Sequence, residues 1–300
     1  MRTLFRIVRL LLPRTLLPRV LLLCFLLSLT SVQAAECERP ARLHFSLVPQ
    51  SDLQKDVESL KPLFADLQAA LGIPVEVVMP TSYGAVIEDL ISGAVDLARL
   101  GPAAYVSAKK QDPGISAFAT VSRRAPGQRE EDTFYHSILI VRKGGPYQTI
   151  TALRGKKVAL VDPDSTSGAL IPRHVFAREI RMPLEKYFGQ VVYSGAHDQS
   201  IANLKKDKID AAFISSSTLN MPGENMRTKA DDFLTLWRSA AIPRNPFVLR
   251  SGLCADIRKK IIGVFLDSGG NANENLMRKL NVTRFVPVSD KDYQIVRDLP

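Results

Sequence analysis

Val158-Ala159-Leu160-Val161-Asp162-Pro163-Asp164-Ser165-Thr166-Ser167-Gly168-Ala169 runs a short apolar stretch directly into three hydroxyl side chains and a glycine. Val158 to Val161 has the composition of a buried strand, and Ala169 to Arg178 has the apolar spacing of a helix. A helix begins with backbone N–H groups that lack partners, and its dipole makes that end positive. With the hydroxyls of Ser165, Thr166 and Ser167 beside them, those donors form a candidate oxyanion cradle that needs no lysine. An ordinary Ser/Thr helix cap explains the pentapeptide equally well, so the rest of the chain has to decide.

Outward from this unit, strands and helices take turns. Leu43 to Val48 is extended, about Asp52 to Leu71 is helical up to Gly72, and Val75 to Met79 is a second strand. The loop Thr81-Ser82-Tyr83-Gly84 leads to a helix at Ala85 to Ser92 and a strand at Val95 to Leu100. Phe134 to Val141 is a further apolar strand. After Lys143-Gly144-Gly145-Pro146 the alternation restarts through Val158 to Val161, Val191 to Tyr193, a helix from about Asp198 to Lys206, and Ala211 to Ile214. Such alternation predicts open α/β sheets, in which ligands sit beyond the carboxyl ends of strands. The 165–168 loop lies at such an end, as do Tyr83 and Ser194-Gly195-Ala196-His197. The break near 144 and a second at Ala240 to Pro246 predict two lobes, with 35–142 and 243–300 in lobe 1 and 143–242 in lobe 2.

The first 34 residues stand apart. Five arginines and no acid flank an apolar run from Val20 to Leu29, and Ser31-Val32-Gln33-Ala34 offers small residues for cleavage before Ala35. That pattern predicts a signal peptide, with an apolar run short of the about 20 residues of a membrane span. These arginines account for half of the formal net charge of +10. The remaining basic pairs, such as Arg123-Arg124 and Lys205-Lys206, lack interleaved aromatics and fit solvated faces rather than nucleic acid. With Cys24 removed, Cys37 and Cys254 are the only cysteines in an oxidising compartment, so a disulfide between them is expected, the alternative being two unrelated thiols. The four histidines are scattered, which argues against a metal site, and no Gly-x-Ser-x-Gly elbow accompanies the imaginable trio Ser165, His197 and Asp210.

The order Tyr83-Gly84, Val95-Asp96-Leu97-Ala98-Arg99-Leu100-Gly101-Pro102, Tyr135-His136-Ser137, Asp162 to Gly168, Ser194 to Asp198, Ile209-Asp210-Ala211 and Ile242-Pro243 resembles the phosphate-, phosphite- and phosphonate-binding periplasmic proteins of ABC importers. The resemblance spans the mature chain to about residue 265, and the Ser-Thr-Ser-Gly run with its downstream Gly-Ala-His is its most specific part. It implies a type II periplasmic-binding fold, two α/β lobes joined by two crossovers with a ligand cleft between them. It also implies a monomeric binding protein, not an enzyme, that needs no cofactor and delivers a small phosphorus-containing anion to an ABC permease in the inner membrane. The same fold serves membrane sensors, which leaves a signalling subunit as the alternative.

Carried over by position, the resemblance puts Tyr83, Tyr135, Ser165, Thr166, Ser167 and His197 around the phosphonyl oxygens. Hydroxyl and imidazole N–H donors to a charged acceptor are worth about 1.5 to 3 kcal/mol each. Aminoalkyl-phosphonate binders of the family place carboxylates near the ligand's ammonium, where this chain has Ser217 and Asn245. An ammonium enclosed without a carboxylate is costly, so a ligand without one is expected. Arg99 stands where the family tends to an apolar residue. It either adds charge near the cleft or lies on the surface.

Overall fold

The computed structural model describes residues 37–49, 53–124, 131–219, 230–266, 274–280 and 282–299. The basic leader, residues 1–34, and the expected helix start at Asp52 lie outside them. The strands, in chain order, are β1 (Leu43–Leu47), β2 (Val75–Val77), β3 (Leu97–Arg99), β4 (Ser116–Ser122), β5 (Phe134–Tyr135), β6 (Ser137–Arg142) and β7 (Lys157–Leu160). They continue with β8 (Gln190–Tyr193), β9 (Ala211–Ser215), β10 (Phe233–Arg238), β11 (Ile242–Pro243), β12 (Phe247–Leu249) and β13 (Arg284–Pro287).

Among the described residues these strands form two large sheets, of order β13-β4-β12-β3-β1-β2 and β10-β6-β9-β7-β8, and a two-stranded ribbon of β11 with β5. In each large sheet the crossover chain contributes one antiparallel strand beside a parallel set. β12 enters against β3, and β6 enters against β9. The expected apolar strand Phe134 to Val141 is therefore two strands parted at His136, with different partners. Tyr135 pairs with Ile242 in the ribbon, while Ser137 begins the ladder to Ser215. Ser137–Arg142, expected in lobe 1, is hydrogen-bonded into the second sheet because its apolar run is flanked by β9 and β10.

Alternation along β1 explains the first core. Leu43, Phe45 and Leu47 bury against Leu60, Leu63 and Leu67 of the Leu53–Leu71 helix, each fully buried side chain contributing about 1.5 to 3 kcal/mol. Ser46 does not join that cluster, and its hydroxyl donates to the Val78 carbonyl at 2.9 Å. The second sheet has its own aromatic core, with Phe176 edge-on to both Phe213 and Trp237.

Cys37 and Cys254 form the expected disulfide, closing a separation of 217 residues. The junction is continued by backbone and charge. Glu38 N–H donates to the Gly252 carbonyl at 2.8 Å, and Arg250, 5% exposed, pairs at 2.8 Å with both Asp96 and Glu38. A buried guanidinium is tolerated when its charge is matched and its donors are used, as here.

Candidate functional site

The loop after β7 is shaped by its own side chains. The Asp162 carboxylate accepts from Asp164 N–H at 2.9 Å and its carbonyl from Ser165 N–H at 2.9 Å, and the Ser165 hydroxyl caps the following turn by accepting from Gly168 N–H at 3.1 Å. Ser165 is thus the helix cap of the plainer reading, and its hydroxyl, having accepted one bond, still has a proton to donate. The helix starts at Thr166, earlier than the Ala169 start expected, and its first two turns, Thr166–Leu170 and Pro172–Phe176, are wide. In that register Ile171 N–H bonds to the Thr166 carbonyl, so the Ser167 carbonyl would need an N–H at position 172, where proline has none. Ser137 supplies the missing donor, its hydroxyl reaching Ser167 O at 2.6 Å. Gly168 is required by packing, because a Cβ there would lie 2.5 Å from Val161 Cβ.

The hydroxyl residues Ser165, Thr166 and Ser167 are 1%, 2% and 1% exposed, and a tyrosine from each side meets them. Burial pushes the Tyr83 phenol far up, neighbouring Tyr135 adds to this, and the Ser165 hydroxyl opposes it by hydrogen bonding. Burial likewise pushes Tyr135 up to about 12, against the hydroxyls of Ser167 and Thr166 and the charge of Arg244. Both phenols are neutral donors at any physiological pH. Tyr83 stands in the first turn of the helix Tyr83–Ser92, not in the loop expected, because Ser82 caps that helix by accepting from Ala85 N–H at 3.1 Å.

Sequence reasoning missed a third contributor. The helix Pro102–Gln111 begins at the end of β3, with Gly101 as its cap and proline in its first turn. Its Ala103 N–H donates to Thr166 Oγ1 at 2.8 Å, so a first-sheet helix start meets the second-sheet loop directly. A Cβ added at Gly101 would sit 3.8 Å from both Thr166 Oγ1 and Tyr83 Cε1, which shows how closely the three converge. Pro102 after Gly101 was the available signal, since proline favours the first helical position.

His197 heads the helix His197–Lys205 and was expected in the loop before it. Its Nδ1 accepts from Ser215 N–H at 3.1 Å. Although part of the residue is exposed, the ring is enclosed, and burial pushes its pKa down to about 4. The neutral ring therefore carries its proton on Nε2, which makes it a neutral N–H donor. Asp210 has a different task at the opposite end of β9, where its carboxylate accepts from Lys157 N–H at 2.8 Å, so it does not orient His197 in a triad. Acids stand at the margin: burial and the charge of Asp162 raise the Asp164 carboxyl.

The other singled-out positions are Ser217, Asn245 and Arg99. Ser217 accepts from Arg244 Nη1 at 2.9 Å, and Asn245 is half-buried, its carbonyl accepting from the Thr120 hydroxyl at 2.8 Å. Arg99 is not a solvated surface residue. It is half-buried with its guanidinium 5.7 Å from the centre of the Phe247 ring. Arg244, which no sequence signal singled out, is 9% exposed and contacts Asp132 as well as Ser217. Among the described residues no group of three or more His, Cys, Asp or Glu is arranged to hold a metal ion, and no helix is long and apolar enough to cross a membrane.

Residues 45–293 match the family described as the periplasmic substrate-binding protein of phosphonate ABC transporters. The phosphonates-binding periplasmic protein of Escherichia coli is 26% identical over 269 residues, covering 87% of this chain and 77% of that one. The phosphate-import protein PhnD of Mycolicibacterium smegmatis is 28% identical over 283 residues, covering 86% and 84%. Among solved structures, the binding-protein component of an ABC phosphonate transporter from Pseudomonas aeruginosa superposes with a TM-score of 0.77 at 20% identity, covering 87% of this chain and 86% of the other. That likeness establishes the fold as the type II periplasmic-binding fold.

Proposed function

This chain belongs to the family of periplasmic substrate-binding proteins of phosphonate ABC transporters, and from that premise we propose that it captures a small phosphonate or phosphorus oxyanion on the 165–167 loop. One observation carries the reading. Neutral donors from both sheets converge on that loop: Ala103 N–H and Tyr83 from the first, the three hydroxyls from the second, and Tyr135 from the ribbon. In this reading His197 Nε2–H completes the set. A buried oxyanion held by several such dipoles is well stabilised, yet without a fixed counter-charge in contact it is released when the donors part.

The lobes in this reading are the two large sheets, with the crossovers 131–136 and 239–246 as the hinge and closure bringing Ala103 onto Thr166. The chain then acts as a monomer, is exported by cleavage before Ala35, and hands its ligand to a permease of the inner membrane. Ser217 and Asn245 stand where aminoalkyl-phosphonate binders carry acids, and Arg244 is bonded to Ser217, so a primary ammonium is disfavoured.

Thermal-shift titration of the exported protein tests this with phosphate, phosphite, methylphosphonate, 2-aminoethylphosphonate and sulfate. A ligand at a hundredfold excess over its Kd adds about 2.7 kcal/mol of apparent stability. The expected outcome is a clear rise with at least one phosphorus ligand and a smaller one with 2-aminoethylphosphonate than with methylphosphonate. A shift by sulfate alone would discard the phosphorus assignment.

A further inference from the structure

Arg244 is charged, buried and only partly satisfied. Its backbone N–H donates to the Thr133 carbonyl at 2.9 Å, and its own carbonyl accepts the Tyr293 hydroxyl at 3.1 Å, which fixes the residue between the crossovers. Nη2 contacts the Asp132 carboxylate and Nη1 donates to Ser217 Oγ at 2.9 Å. Nε is buried with no hydrogen-bond partner. An unpaired buried donor is expensive, more so on a charged group, so such a site is one that a ligand can complete.

The neighbourhood is electropositive. Arg123 is bridged to Asp132 through its backbone, and burial followed by the charges of Arg99 and Arg244 pushes its guanidinium down to about 10, with Asp132 only partly compensating. The charge of Arg244 also reaches Tyr135, the tyrosine that meets the Thr166 and Ser167 hydroxyls. Arg244 directly follows Ile242 and Pro243, the ribbon strand paired with Tyr135 and Phe134, and its guanidinium is held at Ser217, on the Tyr135 side of the loop.

We propose that Arg244, presented by Asp132 and Ser217, is a specificity-determining residue that receives a carboxylate on the carbon side of the ligand's phosphonyl group, so that the preferred ligand is a phosphonocarboxylate. This rests on the phosphonyl site proposed above. A guanidinium offers planar, directional donors that match a carboxylate in geometry as well as charge, and it repels the ammonium of an aminoalkyl phosphonate.

Calorimetric titration of the exported protein with methylphosphonate, phosphonoacetate, 3-phosphonopropionate and 2-aminoethylphosphonate decides it. At least one of the two phosphonocarboxylates is expected to bind tenfold or more tightly than methylphosphonate, with 2-aminoethylphosphonate weakest. Arg244→Gln should weaken that phosphonocarboxylate at least tenfold more than it weakens methylphosphonate, and Arg244→Lys should retain part of the difference. Because Arg244→Gln strips Asp132 of its buried partner, Ser217→Glu provides a second route. It keeps the arginine but offers it a carboxylate of the protein's own, and should erase the preference for the phosphonocarboxylate. Equal affinity of the wild type for methylphosphonate and both phosphonocarboxylates, or equal losses for all ligands in the variants, overturns the role of Arg244 while leaving the phosphonyl site standing. A wild type that binds none of the four phosphonates overturns the phosphonyl site itself and the inference with it.

Discussion

Around residues 165–167 the groups that meet the two tyrosines are neutral dipoles, hydroxyls and an amide, held at 2.6 to 3.1 Å by one another and by the backbone. At the Ser217–Arg244 contact the chain does the reverse, burying a full positive charge with a single carboxylate in contact and one N–H to spare. In the proposed reading the first arrangement recognises shape and lone pairs, with Ala103 and Thr166 meeting on closure. In the same reading the second recognises charge. A site built this way separates the task of holding an oxyanion from that of choosing what is attached to it.

The strongest way to break the contrast is to remove the neutral donors. Ser165→Ala with Thr166→Ala should lower affinity for the bound phosphorus ligand by roughly 3 to 6 kcal/mol if the two losses add, with the fold intact by circular dichroism. Unchanged affinity in calorimetry would take this loop out of the site. A smaller effect is expected from disturbing how the loop is held: Gly168→Ala drives a methyl to 2.5 Å from Val161 Cβ and 2.8 Å from Ser165 Oγ. Overpacking of that kind costs about 1 to 3 kcal/mol, read as a lower urea midpoint with unchanged slope.

The smallest effect sharpens the contrast through protons. His197 has a folded pKa of about 4, below its ordinary value of 6.5, so the unfolded chain takes up a proton first as pH falls. The ligand-free protein should therefore lose stability between about pH 6.5 and 4, and His197→Gln should flatten that part of the profile. Methylphosphonate affinity, by contrast, should show no His197-dependent step between pH 7 and 8, where the ring is neutral. A binding curve that tracks a group near pH 7 and loses that step in His197→Gln would contradict the neutral-donor assignment.

Much of this was legible in the sequence, and the misses share a cause. The apolar runs of β1, β7 and β9 and the hydroxyl loop announce themselves through local pattern. Tyr83 and His197 were found as residues but placed in loops; the helix of Tyr83 starts early because Ser82 caps it, while Ala196 before His197 offers no capping side chain to mark the start. The Pro102–Gln111 helix was hidden by Leu100-Gly101-Pro102, which has the look of a chain break. Its buried face is largely alanine, so the periodicity is faint. Arg244 was invisible for a different reason. Its buried charge is matched by Asp132, 112 residues earlier, and no window of local sequence contains both. The family pattern directed attention to the carboxylates missing at Ser217 and Asn245, one residue short of the side chain that occupies the space.

The bond between Cys37 and Cys254 carries a further meaning for a chain of a periplasmic family. Beyond residue 34 these are the only two cysteines, so a single chain has one intramolecular pairing open to it and no wrong one to reshuffle. If the chain is exported amino terminus first, as proposed above, Cys37 emerges early and its thiol stays unspent until Cys254 has followed. The disulfide then marks passage of Cys254: a chain that stops short of it keeps a free thiol at Cys37, and only one that extends past it can close the bond.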